Sequence, residues 1–170
     1  IRKAFDTKLY LEDKNVLVTA GPTREAIDPV RFISNRSSGK MGYAIAKSAK
    51  DFGAKVDLVS GPVHLGSLSE VNTVTVETAN EMEREVQNFI GKTSYDYIFM
   101  AAAVSDYQVT EIAKNKIKSK EENLNLKLHK SIDILQKIAN KSSAKIIGFA
   151  LETQNGESEA LKKLEDKKLD

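Results

Sequence analysis

One stretch near the start of the chain limits the possible folds more than any other. Over residues 15–42 a short apolar strand, VLV, is followed by a long polar loop with two prolines and then by a helix start, SSGKMG. A strand that leads into a helix N-terminus is typical of α/β sheets, and the unpaired N–H groups of the first helical turn attract anions. Ordered loops of this length usually have a function. We therefore expect a phosphate site here, with Arg31, Asn35 and Arg36 close by. Arg31 itself is either solvated or binds a carboxylate or a phosphate bidentately.

Strand and helix patterns alternate along the rest of the chain. We predict strands at residues 15–20, 55–60, 71–76, 97–102 and 145–150, and helices at 38–52, 80–90, 133–139 and 156–169. This alternation predicts an α/β fold with a Rossmann-like, doubly wound and mostly parallel sheet. Ligands bind such sheets at the carboxyl ends of the strands, where the strand order reverses. We therefore expect the first and fourth strands to be neighbours and the loops 21–36 and 103–109 to face each other.

Local signals define the two long helices. Helical spacing places five apolar side chains on one face of the first helix: Met41, Ala44, Ile45, Ala49 and Phe52. Gly53 is a natural stop for that helix. Asn80 is the expected N-cap of the second helix, and the glutamates that follow favour its N-terminal dipole.

A lysine-rich segment separates the fourth and fifth strands. Residues 114–130 alternate apolar and polar side chains around a polar turn at 121–123, which predicts a lysine-lined β-hairpin flap. Lys116 and Lys118 would point the same way and would suit a polyphosphate; a solvated edge strand protected by lysine is the alternative. Lys163 and Lys167 lie one helical turn apart, and they either contact a polyphosphate in the same way or are simply exposed to solvent.

Composition excludes several kinds of site. The chain has no cysteine, which excludes disulfides, thiolate metal sites and a cysteine nucleophile. His64 and His129 have no partner at metal-ligand spacing and are interpreted as solvent-exposed or loop residues. A net charge of +2 is too balanced to indicate nucleic acid. The longest apolar run, residues 98–104, is too short to span a membrane, and no signal peptide is recognisable. We expect a soluble, cytoplasmic protein.

The two common phosphate-binding motifs are both incomplete. A dinucleotide fingerprint would need glycine where Ser37 stands, directly after its strand, and a P-loop would need Ser or Thr in place of Met41. A nicotinamide-dependent oxidoreductase also needs an acidic residue at the end of the second strand, where the chain has Ser60. This oxidoreductase and a non-catalytic nucleotide-binding module are the alternative functions.

Several loop residues have two possible roles. Asn35 is either a turn residue or an amide that donates to a developing negative oxygen. Gly39 and Gly42 serve either close helix–sheet packing or phosphate contact. Asp106 is either a cap or a carboxylate at the site, and Phe149 either belongs to the core or stacks on a base.

Five segments, taken in order, resemble one enzyme family. They are VTAGPTREAIDPVRFISNRSSGKMGYAIA at 18–46, LVSGPV at 58–63, AAAVSDY at 101–107, KIK at 116–118 and GFALET at 148–153. The family is phosphopantothenate–cysteine ligase, or phosphopantothenoylcysteine synthetase, which in many bacteria is the C-terminal half of a bifunctional flavoprotein. The resemblance implies a ligase domain at residues 15–170 after a lead-in at residues 1–14.

The resemblance implies a two-step ligation. CTP activates the carboxylate of 4′-phosphopantothenate, pyrophosphate leaves, and the amine of L-cysteine then attacks the acyl-cytidylate with release of CMP. Mg²⁺ is expected on the triphosphate, held largely by phosphate oxygens and water, with protein ligands that the sequence does not identify. A homodimer is implied, and FMN is expected only on an upstream fused decarboxylase domain.

The family's site residues transfer by motif. Asn35 matches the asparagine that promotes conversion of the acyl-cytidylate, and Lys116 matches the first lysine of a KxKK motif that stabilises charge while it forms. The implied nucleotide-binding residues are Ser37, Gly39, Gly42, Ala102, Ala103, Asp106, Lys116, Lys130, Phe149, Lys163 and Lys167.

Three departures accompany the resemblance. Ser119 stands where KxKK has its last lysine, and KSID at 130–133 stands where the family has KNPD. The family also continues past the position of Asp170, so we expect the C-terminal part of the domain to be missing.

Overall fold

The structure, a computed structural model, describes residues 9–118, 123–139 and 141–149. Its strands are β1 (Asn15–Ala20), β2 (Arg24–Ala26), β3 (Phe32–Ser34), β4 (Lys55–Ser60), β5 (Asn72–Thr75), β6 (Tyr97–Met100), β7 (Tyr107–Val109), β8 (Leu128–Lys130) and β9 (Lys145–Gly148). Its helices are α1 (Lys40–Asp51), α2 (Ala79–Lys92) and α3 (Ile134–Ala139). The predicted helix at 156–169 lies outside the described residues.

A parallel sheet of five strands runs through the described part of the chain in the order β5-β4-β1-β6-β9. β1 lies in the middle and pairs with β4 on one side and β6 on the other. The chain builds outward from β1 through β4 to β5, then returns to place β6 on its opposite side. The reversal of strand order therefore falls between β1 and β6, which confirms the predicted fold class and the predicted neighbours.

β1 is buried on both faces because the pleat sends successive side chains to opposite sides. One core lies between the sheet and α1 and contains Val16, Val18, Ala20, Ala46, Ala49, Ala54, Val56 and Leu58. The other lies on the face covered by α2 and α3 and contains Leu17, Val59, Val76, Met82, Val86, Tyr95, Ile98, Met100, Ile134, Ile138, Ala144 and Ile146. A strand buried on both faces needs the continuous apolar sequence that β1 has.

The predicted inner face of α1 is wrong in most of its members. Met41, Ala44 and Phe52 are exposed, and the buried residues of the helix are Gly42, Ala46 and Ala49. A Cβ on Gly42 would lie 2.5 Å from the Cβ of Ala20, so the helix lies too close to β1 for larger side chains. Small residues therefore face the sheet most closely, Ile45 packs at the side of this core, and Met41 and Phe52 turn toward solvent.

The N-cap of α2 is Thr78 rather than the predicted Asn80. The Thr78 hydroxyl accepts from the Glu81 N–H, and the Glu81 carboxylate accepts from the Thr78 N–H, which is a capping box. A third oxygen comes from elsewhere in the chain, since the buried Glu25 carboxylate accepts from the Ala79 N–H at 2.9 Å. Two N–H groups of the first turn of α2, those of Ala79 and Glu81, are thus satisfied by side-chain oxygens.

The predicted hairpin within residues 114–130 is also wrong in its pairing. In the described residues, 116–118 and 123–127 belong to no strand. Instead β8 pairs antiparallel with β7, which precedes the lysine-rich segment, and the Thr110 N–H donates to the Lys127 carbonyl at 2.9 Å. The segment is therefore an excursion that leaves and rejoins a two-stranded ribbon.

None of the helices in the described part of the chain is long and apolar enough to cross a membrane.

Replacing Gly42 with alanine should destabilise the protein. Overpacking a tight contact typically costs about 1–3 kcal/mol, and the gain in helix propensity, about 1 kcal/mol, offsets this only in part. Denaturant unfolding followed by circular dichroism measures the change. The matched control is Gly91→Ala in α2, where an added Cβ meets nothing within 4 Å and should leave stability unchanged or raise it. Equal effects of the two substitutions would contradict the packing role of Gly42.

Candidate functional site

The loops after β1 and β6 contact each other directly at the carboxyl end of the sheet. The Ala103 N–H donates to the Gly21 carbonyl at 2.8 Å, and the Thr23 N–H donates to the Ala103 carbonyl at 3.2 Å. The hydroxyl of Thr23, which is fully buried, accepts from the Ser105 N–H at 2.9 Å. The prediction that these two loops face each other across the site is confirmed.

Asn35 joins the two loops at their outer edge. Its side-chain Nδ2 donates to the Val104 carbonyl at 2.9 Å and lies 3.4 Å from the Ala103 carbonyl. The residue directly follows β3 and is exposed. The opposite loop thus holds the orientation of the amide, and the described structure directs its N–H groups to protein carbonyls. A catalytic role for Asn35 stays a prediction.

A cavity of about 790 Å³, here called the main cavity, lies at the point where strand order reverses. Its walls come from the Asn35 segment, the alanine-rich end of β6, the residues after β8 and the end of β9. They are Asn35, Arg36, Ser37, Met41, Met100, Ala101, Ala102, Ala103, Val104, Ser105, Asp106, Lys130, Ser131, Ile132, Asp133, Ile134, Leu135 and Phe149. Its volume falls in the range of ordinary ligand pockets.

Seven predicted site residues border the main cavity: Asn35, Ser37, Ala102, Ala103, Asp106, Lys130 and Phe149. Phe149 is 47% exposed, so the interpretation of this side chain as core is wrong. Small side chains at the end of β6 allow a ligand to approach the backbone closely. The sequence placed these residues on separate loops, and the sheet topology brings them to one cavity.

The N-terminus of α1 is left open toward this region. Gly39, the N-cap, has a left-handed φ of 74°, no side chain caps the first turn, and that turn contains no acidic residue. The Gly39 N–H lies 3.3 Å from the Ser37 hydroxyl. Because α2 of the same chain is capped by three protein oxygens, the bare start of α1 favours the predicted anion site. Close packing already explains why residue 42 is glycine, and nucleotide contact by Gly39 and Gly42 stays a prediction.

Arg31 and Lys116 occupy different surroundings from those expected. The Nη2 of Arg31 lies 2.6 Å from an Asp28 carboxylate oxygen and donates to the Ile117 carbonyl at 2.6 Å. Arg31 is therefore committed to protein partners, and the structure supports the carboxylate rather than the phosphate among its possible partners. Lys116 is exposed and is not part of the main cavity wall; its role stays a prediction. Lys163 and Lys167 lie outside the described residues.

A smaller cavity of about 410 Å³ lies on the other side of the Asn35 segment. Four basic side chains border it: Arg24, Arg36, Lys40 and His64. Arg24 lies over the Phe32 ring, 4.6 Å from its centroid, and 3.5 Å from the Glu77 carboxylate. His64 and His129 are both exposed, as predicted. Asn35, Arg36 and Ser37 border both cavities, so this short segment is a wall between two spaces.

The carboxylates at the main cavity are few. In the described part of the chain, no group of three histidine or acidic side chains could hold a metal ion by itself. Asp133 accepts from the Gln136 N–H at 3.1 Å at the start of α3. Asp106 is exposed, and only its backbone carbonyl, which accepts from the Ser131 N–H, has a hydrogen bond among the described residues. The Asp106 carboxylate is therefore available to a ligand.

Sequence reasoning missed two features of the site. The first is Asp28, whose partners lie two, three and 89 residues away; the turn sequence around it, IDPVR, was the available signal. The second is Glu25, which caps α2 across 54 residues of sequence and gave no local signal.

The chain matches, over residues 11–170, the protein family described as the DNA/pantothenate metabolism flavoprotein C-terminal domain. It is 46% identical over 175 residues to the Coenzyme A biosynthesis bifunctional protein CoaBC of Haemophilus influenzae, covering 98% of this chain and 42% of that protein. It is 43% identical over 171 residues to the protein of the same description from Bacillus subtilis, covering 98% of this chain and 41% of that protein. The chain thus spans about two fifths of the length of these relatives.

Two solved structures resemble this one closely. The C-terminal domain of a Coenzyme A biosynthesis bifunctional protein CoaBC has a TM-score of 0.80 and 43% identity, with 94% of this chain and 75% of that chain covered. A DNA/pantothenate metabolism flavoprotein from Streptococcus pneumoniae has a TM-score of 0.80 and 26% identity, with 92% and 80% covered.

Proposed function

The chain belongs to the family of DNA/pantothenate metabolism flavoprotein C-terminal domains, and from that premise we propose that it is the ligase of 4′-phosphopantothenate and L-cysteine in coenzyme A biosynthesis. The curated relatives are described as bifunctional proteins of coenzyme A biosynthesis, and the C-terminal domain of one such protein has the same fold. The proposed nucleotide is CTP, and the proposed intermediate is an acyl-cytidylate.

One observation carries the proposal. The main cavity lies where strand order reverses, beside the uncapped start of α1, and it collects Asn35, Asp106, Lys130 and Phe149 from four separate segments. An open helix end suits phosphate, an exposed aromatic ring at a strand end suits a base, and the alanine-rich wall suits close approach of a ligand. A ligase of this kind must hold a nucleotide and an acid side by side, and a cavity of about 790 Å³ offers room for that.

The proposed reaction has two steps. The phosphopantothenate carboxylate attacks the α-phosphorus of CTP and pyrophosphate leaves; the cysteine amine then attacks the acyl carbon and CMP leaves. In the first step the protein contributes position and charge neutralisation, which are the main sources of catalysis in transfers at phosphorus. We assign charge neutralisation to Lys116 in this step. In the second step we assign Asn35 to the oxygen that becomes negative at the acyl carbon, with the amide turning from the Ala103 carbonyl, its longer contact at 3.4 Å, to the substrate.

The residues at the main cavity fit a magnesium–nucleotide complex. Mg²⁺ usually keeps several waters and takes one or two carboxylates together with phosphate oxygens. Asp106 would be the protein carboxylate in this set, because it is exposed at the cavity wall. When bound, the ion would supply charge compensation for the triphosphate.

The nicotinamide-dependent alternative is disfavoured by the end of β4. That strand ends at Ser60, which is fully buried and whose hydroxyl donates to the Gly61 carbonyl at 2.8 Å. The acidic residue that would bind a ribose in such enzymes is absent at this position. Nucleotide binding without catalysis is separated from the ligase by the assay below.

Several properties of the whole protein are proposed from the relatives. We propose a homodimer in the cytoplasm, with an upstream flavoprotein domain that carries FMN, since the relatives are bifunctional and more than twice as long as the matched region. The division into a lead-in at residues 1–14 and a ligase domain at residues 15–170 is likewise proposed.

The test of this function is CTP-dependent release of pyrophosphate that requires 4′-phosphopantothenate, followed by release of CMP that requires L-cysteine. CTP with Mg²⁺ should also raise the melting temperature more than ATP or NADH, because a ligand stabilises the folded state that binds it. Stabilisation by CTP without any pyrophosphate release would favour the non-catalytic module, and stabilisation by NADH alone would favour the oxidoreductase.

Replacing Asn35 with alanine should slow the second step and make the acyl-cytidylate accumulate. Loss of one well-placed donor to a developing oxyanion typically costs about 2.7–4 kcal/mol, or about 10²–10³-fold in rate. Rapid-quench assays with separation of nucleotides measure the intermediate. Asn88→Ala, at an exposed position on α2, is the control. Normal turnover of Asn35→Ala without accumulation would refute the assignment.

Replacing Lys116 with alanine should suppress the first step, because charge that builds up during cytidylate formation loses its cation. Single-turnover release of pyrophosphate should fall by about 10²-fold or more, a loss typical of an electrostatic contact to a transition state. Lys145→Ala removes an exposed lysine at the opposite end of the sheet and should leave the rate unchanged. Undiminished pyrophosphate release from Lys116→Ala would show that Lys116 has no such role.

A further inference from the structure

Asp28 lies in the turn between β2 and β3 and is almost fully buried, with an exposure of 2%. One carboxylate oxygen accepts from the N–H groups of Val30 and Arg31 at 2.8 and 2.9 Å. The other lies 3.0 Å from the Nε and 2.6 Å from the Nη2 of Arg31. These contacts close the turn, and a turn of this size does not by itself require a buried charge.

The same carboxylate reaches a distant part of the chain. The second oxygen of Asp28 also accepts from the Ile117 N–H at 3.1 Å, and Arg31 donates to the Ile117 carbonyl at 2.6 Å. Both backbone groups of one residue are therefore held by a single ion pair, much as a strand partner would hold them. We call this set, Asp28, Arg31 and the backbone of Ile117, the clamp.

A second tether lies beside the clamp. The Ala113 N–H donates to the Ile27 carbonyl at 3.0 Å, so the excursion between β7 and β8 is attached twice to the tip of the β2–β3 hairpin. Asp106 and Lys130 border the main cavity at one end of the β7–β8 ribbon, and the excursion leaves and rejoins the ribbon at its other end. Lys116 lies between the two tethers.

The hydrogen bonds of the clamp keep the Asp28 carboxyl group ionised. Burial by itself would raise the pKa of the carboxyl group, but hydrogen bonds from the N–H groups of Ile117, Val30 and Arg31 and from the guanidinium lower the pKa well below its ordinary value. The carboxylate is thus ionised at neutral pH. An ionised acceptor makes stronger hydrogen bonds than a neutral one, and removing it would leave the Ile117 N–H without its partner in the clamp.

We propose that Asp28 is a positioning residue that fixes Lys116 relative to Asn35. This inference rests on the proposed function, in which Lys116 acts in the first step and Asn35 in the second. One hairpin carries both: its tip holds the Lys116 segment through the clamp, and β3 leads from Arg31 directly to Asn35. The four-residue distance along an extended strand is about 13 Å, so the hairpin serves as a short rigid spacer between the two groups.

The reason for such a clamp is that Lys116 stands on a segment without secondary structure. An exposed lysine on a free loop samples many positions, and ordering it when substrate binds costs conformational entropy. Displacement of a reacting group by about 1 Å can reduce a rate by about 10²-fold. Holding the adjacent residue by both of its backbone groups restricts the backbone part of this freedom before the substrate arrives.

The test compares Asp28→Asn with Asp96→Asn. Asparagine keeps the shape of the side chain but removes the charge. Asp96 is a matched control because its carboxylate also accepts from a backbone N–H, that of Asn15 at 2.9 Å, and from a lysine, Lys14, at 2.9 Å; it lies at the opposite end of the sheet. Both variants are first checked for folding by circular dichroism.

Hydrogen exchange at the Ile117 amide measures whether the clamp is formed, and it does not depend on enzymatic activity. The Ile117 amide should exchange at least tenfold faster in Asp28→Asn than in the unmodified chain, while the amides of β1 keep their protection and Asp96→Asn leaves Ile117 unchanged. Unchanged exchange at Ile117 in Asp28→Asn would overturn the proposal.

A double-mutant cycle shows whether Asp28 acts through Lys116. Asp28→Asn should lower single-turnover pyrophosphate release by about 10- to 100-fold, but by less than about twofold when Lys116 is already alanine, because coupled residues are not additive. Equal losses in both backgrounds would indicate a general structural role and overturn the proposal. If the unmodified chain releases no pyrophosphate from CTP, the proposed function fails, and hydrogen exchange alone still decides whether the clamp exists.

Discussion

The hydrogen bonds between the loop after β1 and the loop after β6 support the rest of the candidate site. A long polar loop can pack over a sheet only if its backbone groups find partners, since an unpaired buried group costs free energy comparable to a lost hydrogen bond. Here Gly21 and Ala103 pair through their backbones, and the buried Thr23 hydroxyl accepts from Ser105. The Asn35 amide repeats this pattern at the outer edge. These contacts set the separation of two walls of the main cavity.

The long loop also decides which helix end is available to a ligand. Its Glu25 carboxylate, buried at 4% exposure, accepts from the first N–H of α2, beside the capping box that Thr78 and Glu81 form there. The same loop then delivers Gly39 to α1, whose first turn has neither a capping side chain nor an acidic residue. One helix dipole is thus satisfied by the protein, and the other is directed to the region where the proposed function requires phosphate.

A structural feature could be predicted from the sequence when residues close to it along the chain determine it. Strand periodicity, the glycine stop at Gly53 and the strand–loop–helix order are local, and they gave the parallel sheet and the two facing loops. The hairpin within residues 114–130 and the inner face of α1 were predicted wrongly, because both depend on partners elsewhere: β8 pairs with β7 instead. Because α1 lies so close to Ala20, Gly42 faces the sheet and Met41 is exposed. The spacing of apolar residues along a helix does not reveal how closely the helix approaches a strand.

The sequence by itself determined the fold class, the facing of the loops that follow β1 and β6, and the resemblance to one enzyme family, because apolar periodicity and an unusual loop motif are local properties of a sequence. Only the tertiary structure decided that Phe149 borders a cavity and that Arg31 belongs to an ion pair. It also showed that Asp28 holds Ile117 from 89 residues away. The physical reason is that a charged or aromatic side chain takes its role from the groups that surround it, and folding brings those groups from distant segments.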